Sequence, residues 1–265
     1  MALLVLGSGG RLGKLLRAAW PGDPAVPTLW HGGEGSEFQF NILSDPSALA
    51  AAIAQSNTIL LLAGVTQERE DWPFSTNVEL ARTVLEAAGA RPVLLASSAA
   101  VYGRAGGVLH ENILSNPASN YGKSKRDMEH LAGAFPRTTC LRIGNVAGAD
   151  ALLGTARDHY NLDRFSDGTY PMRSYIGPRM LAQVICDLAL KADDLPPTLN
   201  IACPDLISMA DLLDAAAKSW QATIAPDTAI KTVHLDTTRL WAILPKRSGT
   251  AAQIVADWQS VITQK

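Results

Sequence analysis

The sequence has little of what secreted or metal-binding proteins are built from. It holds only three cysteines, Cys140, Cys186 and Cys203, widely spaced in a chain of 265 residues. An odd and scattered set gives neither a disulfide framework nor metal-ligand spacing. We therefore expect reduced, mostly buried thiols, no bound metal and a cytoplasmic location.

An excess of one charge and a long hydrophobic run are also missing. The net charge is -2, which gives no electrostatic reason to expect nucleic acid or an acidic membrane surface as a partner. The apolar start Ala2-Leu-Leu-Val-Leu6 is too short for a signal peptide or a membrane span, and glycines follow at once. This start predicts a buried strand.

What the sequence does contain is a glycine-rich turn directly after that strand. Gly7, Gly10 and Gly13 are spaced three apart, and apolar residues then recur at helical spacing over residues 12–19. A glycine turn between strand and helix lets backbone N–H groups approach a pyrophosphate at the helix N-terminus. A tight turn without a ligand is the alternative.

Short apolar runs alternate with helical patterns along the chain. The further predicted strands are residues 26–30, 38–40, 58–63, 93–96, 138–143, 199–202 and 233–235. The predicted helices after the first are residues 46–55, 74–88, 121–134, 180–188, 208–220 and 251–262. The alternation predicts an α/β fold with a Rossmann-type, doubly wound parallel sheet. We expect a dinucleotide-binding domain over residues 1–150. Residues 151–265 would form a small C-terminal α/β substrate lobe, from which later segments can return to the first domain.

A Tyr-x-x-x-Lys pair, Tyr121 and Lys125, lies near the middle of the chain. In a helix this spacing puts both side chains on one face. An ammonium beside a phenol favours the phenolate, so we expect Lys125 to lower the pKa of Tyr121 and to tune it for general acid/base work. Taken alone, the pair is a weak motif, because this spacing occurs by chance more often on an exposed helix face.

With these stretches in place, the chain resembles the extended short-chain dehydrogenase/reductase family, in its NAD-dependent epimerase/dehydratase branch. The resemblance runs over essentially the whole chain. The motifs that carry it are Gly7-x-x-Gly10-x-x-Gly13, Asn77-Val78, Ser97-Ser98-Ala-Ala-Val-Tyr-Gly103, Tyr121-x-x-x-Lys125, Leu141-Arg-Ile-Gly-Asn145 and Asp167-Gly168 followed by Arg173-Ser-Tyr-Ile176.

The resemblance implies a site and a mechanism. Ser98, Tyr121 and Lys125 would be catalytic: Tyr121 as acid/base, Lys125 on the nicotinamide ribose, and Ser98 on the reacting oxygen. The implied cofactor-binding residues are Gly7, Gly10, Arg11, Leu12, Gly13, His31, Asn41, Ala63, Gly64, Asn77, Tyr121, Lys125 and Ile143. Ser98, Asn145 and Arg173 would bind substrate, the arginine through a diphosphate. The resemblance also implies a possible homodimer through the helices at 74–88 and 121–134.

The chain departs from the family pattern at three places. His31 stands near the position of the acidic residue that binds the ribose of NAD, and Arg11 could face a 2′-phosphate, which favours NADP within NAD(P). Arg11 as a solvated residue at a helix start is the alternative. Ala99-Ala100 replace the Asp-Glu of the dehydratases, so we expect no dehydration. The second diphosphate-binding arginine is missing, and only Lys231 is nearby.

These features favour an NAD(P)-dependent epimerase or reductase that acts at a hydroxyl or ketone, with a nucleotide-activated sugar as its small-molecule substrate. Two alternatives stay open: a reductase of a smaller carbonyl compound without a nucleotide, and a non-catalytic sensor of nicotinamide redox state. The sensor is disfavoured because proteins of that kind commonly lose the Tyr/Lys pair.

Overall fold

Six apolar segments form one parallel sheet in the computed structural model, which describes residues 2–263. The strands are β1 (Leu3–Leu6), β2 (Thr28–His31), β3 (Thr58–Leu61), β4 (Val93–Ser98), β6 (Thr138–Ile143) and β10 (Thr198–Ile201). Their order across the sheet is β10-β6-β4-β3-β1-β2. The strands are mostly apolar and mostly buried, because helices cover both faces of the sheet.

The helices are α1 (Arg11–Ala19), α2 (Pro46–Ala54), α3 (Thr76–Ala88), α4 (Asn120–Ala132), α5 (Pro178–Leu190), α6 (Met209–Ala215), α7 (Thr238–Ile243) and α8 (Ala251–Ile262). Alternate residues of β1 enter two different cores. Leu3 and Val5 pack with α1, α5 and α8, whereas Leu4 and Leu6 pack with α2, α3 and α4. The sheet therefore has a helical layer on each face, which confirms the predicted doubly wound α/β fold.

The remaining strands build two smaller sheets over the carboxyl end of the main one. They are β5 (Gly107–Leu109), β7 (Asn145–Val146), β8 (Tyr160–Arg164), β9 (Met172–Ile176), β11 (Leu206–Ser208), β12 (Trp220–Ile224) and β13 (Thr232–Leu235). One sheet has the order β11-β9-β13-β5, with β7 beside β9, and the other pairs β12 with β8. Strand β10, although it follows residue 150, lies in the main sheet beside β6. The part of the chain after residue 150 thus contributes strands to the main sheet as well as to the two smaller sheets.

Two predicted elements are wrong. Residues 38–40 form no strand: Phe38 makes a single bridge to His31, and Phe40 tilts against the His31 ring. The helix predicted over residues 208–220 ends at Ala215, because Ala217 adopts a left-handed φ of 50° and the Lys218 N–H bonds back to the Leu213 carbonyl. The other predicted elements begin and end within two residues of the observed ones.

All three cysteines are free and buried, as predicted. Over residues 2–263, no helix is both long and apolar enough to cross a membrane. The same part of the chain contains no group of three or more histidine, cysteine, aspartate or glutamate side chains that could hold a metal ion.

Helix α4 approaches the segment that follows β4 very closely. In its first turn, a Cβ atom added to Gly122 would stand 2.5 Å from the Ala100 carbonyl oxygen and 2.9 Å from the Pro117 Cβ. Only glycine lets the helix backbone come this near. The position of α4 on the sheet therefore depends on Gly122.

We expect Gly122→Ala to lower the melting temperature in a thermal unfolding experiment. The clash of an added methyl group costs about 1–3 kcal/mol, which exceeds the gain of about 1 kcal/mol in helix propensity. Gly22→Ala is the matched control, since a Cβ atom there has nothing within 4 Å. A Gly122→Ala protein as stable as the wild type would contradict this packing account.

Candidate functional site

A cleft of about 280 Å³ opens at the carboxyl ends of β1, β3, β4 and β6. The predicted site residues that line it are Gly7, Gly10, Arg11, Leu12, Gly13, Gly64, Ser98, Tyr121, Lys125, Ile143 and Asn145. The cleft is also lined by residues that the sequence reasoning missed: Leu62, Thr66, Ala96, Ser97, Gly144, Val146, Ala149 and Asp150. Their positions at or after the ends of buried strands could have predicted them, because ligands bind there in such folds.

The glycine turn forms one wall of this cleft, and its shape requires glycine. Gly7 has a φ of 105°, and a Cβ atom on it would stand 2.4 Å from the Ala63 nitrogen. A Cβ atom on Gly13 would stand 2.4 Å from the Gly7 carbonyl oxygen. Gly10 precedes α1 without a side-chain cap, so the first N–H groups of the helix are available to an anion. The turn therefore fits a pyrophosphate.

Ser98 and Tyr121 meet in the cleft. Ser98 ends β4, and its hydroxyl accepts a hydrogen bond from the Ala100 N–H at 3.2 Å. Burial raises the pKa of Tyr121, and a hydrogen bond with the Ser98 side chain partly offsets this rise. The phenol thus keeps its proton at neutral pH and can donate it to an oxygen bound beside Ser98.

Lys125 lies one turn further along α4 and is almost entirely buried, with 5% of its surface exposed. Its Nζ donates to the Ala96 carbonyl oxygen at 2.8 Å and lies 6.0 Å from the centroid of the Tyr121 ring. Burial lowers the pKa of Lys125 to about 8, against the opposing effect of the Glu129 carboxylate.

The expected lowering of the Tyr121 pKa by Lys125 is wrong for the protein on its own. The two side chains share a helix face, as the spacing predicts. The low dielectric of the buried cleft nevertheless dominates, because it disfavours the charged form of each group. Burial therefore raises the pKa of Tyr121 and lowers that of Lys125.

Asn77 lies behind the cleft wall. Its Oδ1 accepts from the Val65 N–H at 2.8 Å, and its Nδ2 donates to the Val65 carbonyl and to the Ser124 hydroxyl. A Cβ atom on Gly64 would stand 2.7 Å from Asn77 Oδ1 and 3.4 Å from Lys125 Nζ. Asn77 thus fixes the loop after β3 against α4, next to Lys125.

His31, Asn41 and Ala63 do not line the cleft. The Nε2 of His31 bonds to the Phe40 carbonyl oxygen at 2.8 Å, so this nitrogen carries the proton, and burial lowers the pKa of the ring. Asn41 is exposed, and its Oδ1 accepts from the Leu43 N–H. Ala63 packs against Gly7. His31 is therefore neutral and tied to its own loop.

A second hollow, of about 560 Å³, lies between the glycine turn and the loop after β2. It is lined by Ser8, Gly9, Lys14, Arg17, Ala18, Gly33, Glu34 and Ser36. Arg17 donates to the Ser36 hydroxyl at 2.9 Å and to the Gly35 carbonyl. The sequence reasoning missed these cations, although Lys14 and Arg17 are three residues apart on α1 and so share one side of that helix.

Arg173, on β9, does not line the cleft. Its guanidinium donates to the carbonyl oxygens of Met172, Lys231 and Ile230 at 2.8, 3.1 and 2.8 Å. The Lys231 ammonium is paired with the Asp167 carboxylate. Both cations that the sequence analysis connected with a diphosphate therefore have protein partners.

The chain is similar to known proteins in sequence and in fold. Residues 3–164 match the model of the NAD dependent epimerase/dehydratase family. A search of curated proteins found no match. Among solved structures, a short-chain dehydrogenase/reductase superfamily protein from Agrobacterium tumefaciens with bound NAD has a TM-score of 0.77 at 21% identity, covering 100% of this chain and 98% of that one. The UDP-glucose-4-epimerase of Stenotrophomonas maltophila, with NAD and formylated UDP-arabinopyranose, has a TM-score of 0.79 at 17% identity, covering 100% and 99%.

The family match spans more than half of the chain, and the solved structures share its whole fold. The cradle of glycines, the half-buried Ser98 and Tyr121, and the buried Lys125 fit the nicotinamide cofactor on which this family depends. The chain is therefore an enzyme of the NAD-dependent epimerase/dehydratase family.

Proposed function

We propose that this enzyme epimerises or reduces a hydroxyl or ketone centre, with Tyr121 as the acid/base. The observation that carries the proposal is the meeting of Ser98, Tyr121 and Lys125 in one cleft with the glycine turn. Ser98 would hold the reacting oxygen, and Tyr121 would exchange a proton with it. Lys125 would bind the nicotinamide ribose, and the cofactor when bound would supply or accept the hydride.

Epimerisation or reduction is supported over dehydration by the residues after Ser98. Ala99 and Ala100 carry methyl groups, which cannot exchange protons, where an acid and a base would be needed to eliminate water. A division near residue 150 into a dinucleotide-binding domain and a substrate lobe belongs to the same proposal. The glycine turn and the proposed catalytic residues lie before residue 150, and the two smaller sheets are built mostly from residues after it.

Tyr121→Phe should lower the rate of hydride transfer by at least about 10²-fold, the lower end for a lost acid/base. Dinucleotide affinity should stay nearly unchanged, because the ring still packs. In the wild type, oxidation of the alcohol should also accelerate as pH rises, since burial raises the pKa of Tyr121 and oxidation needs the phenolate. The measurement is nicotinamide absorbance during turnover.

Tyr170→Phe is the control for this substitution, because Tyr170 packs against Trp220 outside the cleft. It should turn over at the wild-type rate. A Tyr121→Phe enzyme as fast as Tyr170→Phe would eliminate Tyr121 as the acid/base.

We propose a nucleotide-activated sugar as the substrate. Two observations support this substrate. Asn145 and Asp150 add polar groups to the cleft, and the similar epimerase structure binds a UDP-sugar.

A specific observation favours a second candidate, a small carbonyl compound without a nucleotide. Arg173 already donates to three backbone carbonyls, and Lys231 is paired with Asp167. Two of the five N–H donors of Arg173 remain for a phosphate.

A thermal-shift screen of the cofactor-loaded enzyme separates these two candidates. A nucleotide sugar that binds the native state should raise the melting temperature as its concentration rises. At 100 times its Kd, it should add about 2.7 kcal/mol to the free energy of unfolding. The shift should shrink in Arg173→Ala and persist in Arg82→Ala, a control on the exposed face of α3. If no nucleotide stabilises the enzyme while simple ketones support cofactor oxidation, the small-carbonyl reductase replaces the nucleotide-sugar enzyme.

We further propose a preference for NADP over NAD, with the 2′-phosphate in the hollow beside the glycine turn. Arg11 lines the main cleft, and His31 is neutral, so neither supplies a charge to this hollow. Lys14 and Arg17 do line it, together with the hydroxyls of Ser8 and Ser36. Glu34, on its rim, opposes an anion.

Titration of the wild type with both dinucleotides should then show tighter binding of NADPH than of NADH. Arg17→Ala should weaken NADPH by about 10- to 100-fold and leave NADH unchanged, because a charge-assisted bond of about 1.5–3 kcal/mol is lost. Glu34→Gln should act in the opposite direction. Tighter binding of NADH by the wild type would reject the preference.

Two expectations remain proposals: a cytoplasmic location and a homodimer. Free, buried thiols support the first, since reducing compartments keep cysteines unpaired. The packing of α3 beside α4 in one layer supports the second, because the two helices offer one continuous face. Light scattering on the purified protein measures the dimer, and a monomeric mass would reject it.

A further inference from the structure

A third residue of α4 lies on the same face as the Tyr/Lys pair. Glu129 follows Lys125 by four residues, as Lys125 follows Tyr121. Its Oε1 accepts a hydrogen bond of 2.5 Å from the Ser97 hydroxyl at the end of β4. Helix α4 thus contacts the end of β4 at three successive turns.

The three contacts on the β4 side come from consecutive residues. The Ala96 carbonyl holds Lys125, the Ser97 hydroxyl holds Glu129, and the Ser98 hydroxyl meets Tyr121. Ser97 is therefore bound to Glu129 while its neighbours on each side bind the catalytic pair. A shift of Glu129 would move the strand end that positions both.

Glu129 is itself locked by a buried ion pair with Arg142 on β6. The Arg142 guanidinium donates to Oε1 and Oε2 of Glu129 at distances of 2.8 to 3.2 Å. The two side chains are 7% and 8% exposed. Arg142 also donates to the Tyr102 hydroxyl and to the Glu111 carbonyl. Removal of either partner would leave the other charge buried and uncompensated, so the pair holds the Glu129 carboxylate in place.

Glu129 also contributes to the charge balance around Lys125. The groups near Lys125 that titrate or carry charge come from two elements, α4 and β6: Tyr121, Glu129 and Cys140, with Arg142 paired to Glu129. Burial raises the pKa of the Cys140 thiol to about 12, which leaves it neutral. The nearby parts of α3 and of the loop after β3 are Asn77 and Gly64, and neither carries a charge. The Glu129 carboxylate is therefore the negative charge that favours the ammonium of Lys125.

We propose that Glu129 is a positioning residue for catalysis, which holds the end of β4 in register with α4 and keeps Lys125 protonated in its buried site. This inference rests on the proposed roles of Tyr121 and Lys125. It assigns a function to an ion pair that does not itself touch the reacting atoms.

Glu129→Gln tests the electrostatic part. Removal of the negative charge should lower the pKa of Lys125 by about 1–3 units, the usual effect of one close charge. Selective labelling of lysine side chains with ¹⁵N allows Nζ of Lys125 to be titrated by NMR without cofactor or substrate, and Lys125→Arg assigns the signal. The loss of dinucleotide affinity at alkaline pH should move to lower pH by the same amount.

Glu129→Asp keeps the charge and should restore most of the wild-type titration of Lys125. Ser97→Ala removes the contact to β4 but no charge, so it should lower kcat at least about 5-fold, equivalent to one hydrogen bond of about 1 kcal/mol, without moving the Lys125 titration. Glu86→Gln, an exposed glutamate on α3, is the control and should change neither property.

The inference is overturned if Lys125 titrates alike in wild type and Glu129→Gln, or if Ser97→Ala keeps the wild-type kcat. Should Glu129→Gln fail to fold, the kcat of Ser97→Ala decides the inference, and a wild-type kcat overturns it. Failure of the proposed function has a different signature: Tyr121→Phe would then be active while the titration of Lys125 still responds to Glu129.

Discussion

The contact between helix α4 and the end of strand β4 is the constraint on which the site depends. Gly122 removes the side chain that would keep the helix away, and the Ala96 carbonyl then reaches Nζ of Lys125 at 2.8 Å. The glycine turn after β1 shapes the opposite wall by the same means, since Gly13 packs on the Gly7 carbonyl. Two close backbone approaches, each possible only for glycine, thus bring the glycine turn and the side chains of Tyr121 and Lys125 to one cleft.

Burial in this cleft sets the ionisation of Tyr121 and Lys125. The spacing of Tyr121 and Lys125 suggested an ammonium that lowers the pKa of the phenol. In the structure, burial acts on both groups in opposite directions and leaves a protonated phenol beside an amine whose pKa is about 8. Spacing on a helix is local, whereas burial depends on the whole fold, so sequence could predict the pair but not its ionisation.

The same distinction explains which elements were predictable. Strands β1 and β3 are nearly continuous apolar runs, and helix α1 repeats its apolar residues at helical spacing, so local patterns sufficed there. Strands such as β5 and β12 are short and partly exposed, and they exist through pairing with distant segments. Of the candidate site, the motif residues at strand ends were found in advance. Lys14, Arg17 and Glu129 were not, because only the fold shows what each of them faces.

A crystal structure of the enzyme with a reduced nicotinamide dinucleotide tests the central claim most directly. The account predicts the pyrophosphate on the N–H groups that start α1. It also predicts Lys125 Nζ within about 3 Å of a nicotinamide ribose hydroxyl, and the nicotinamide ring facing the Tyr121 hydroxyl beside Ser98. A dinucleotide bound elsewhere, or a nicotinamide ring turned away from Tyr121, would contradict it.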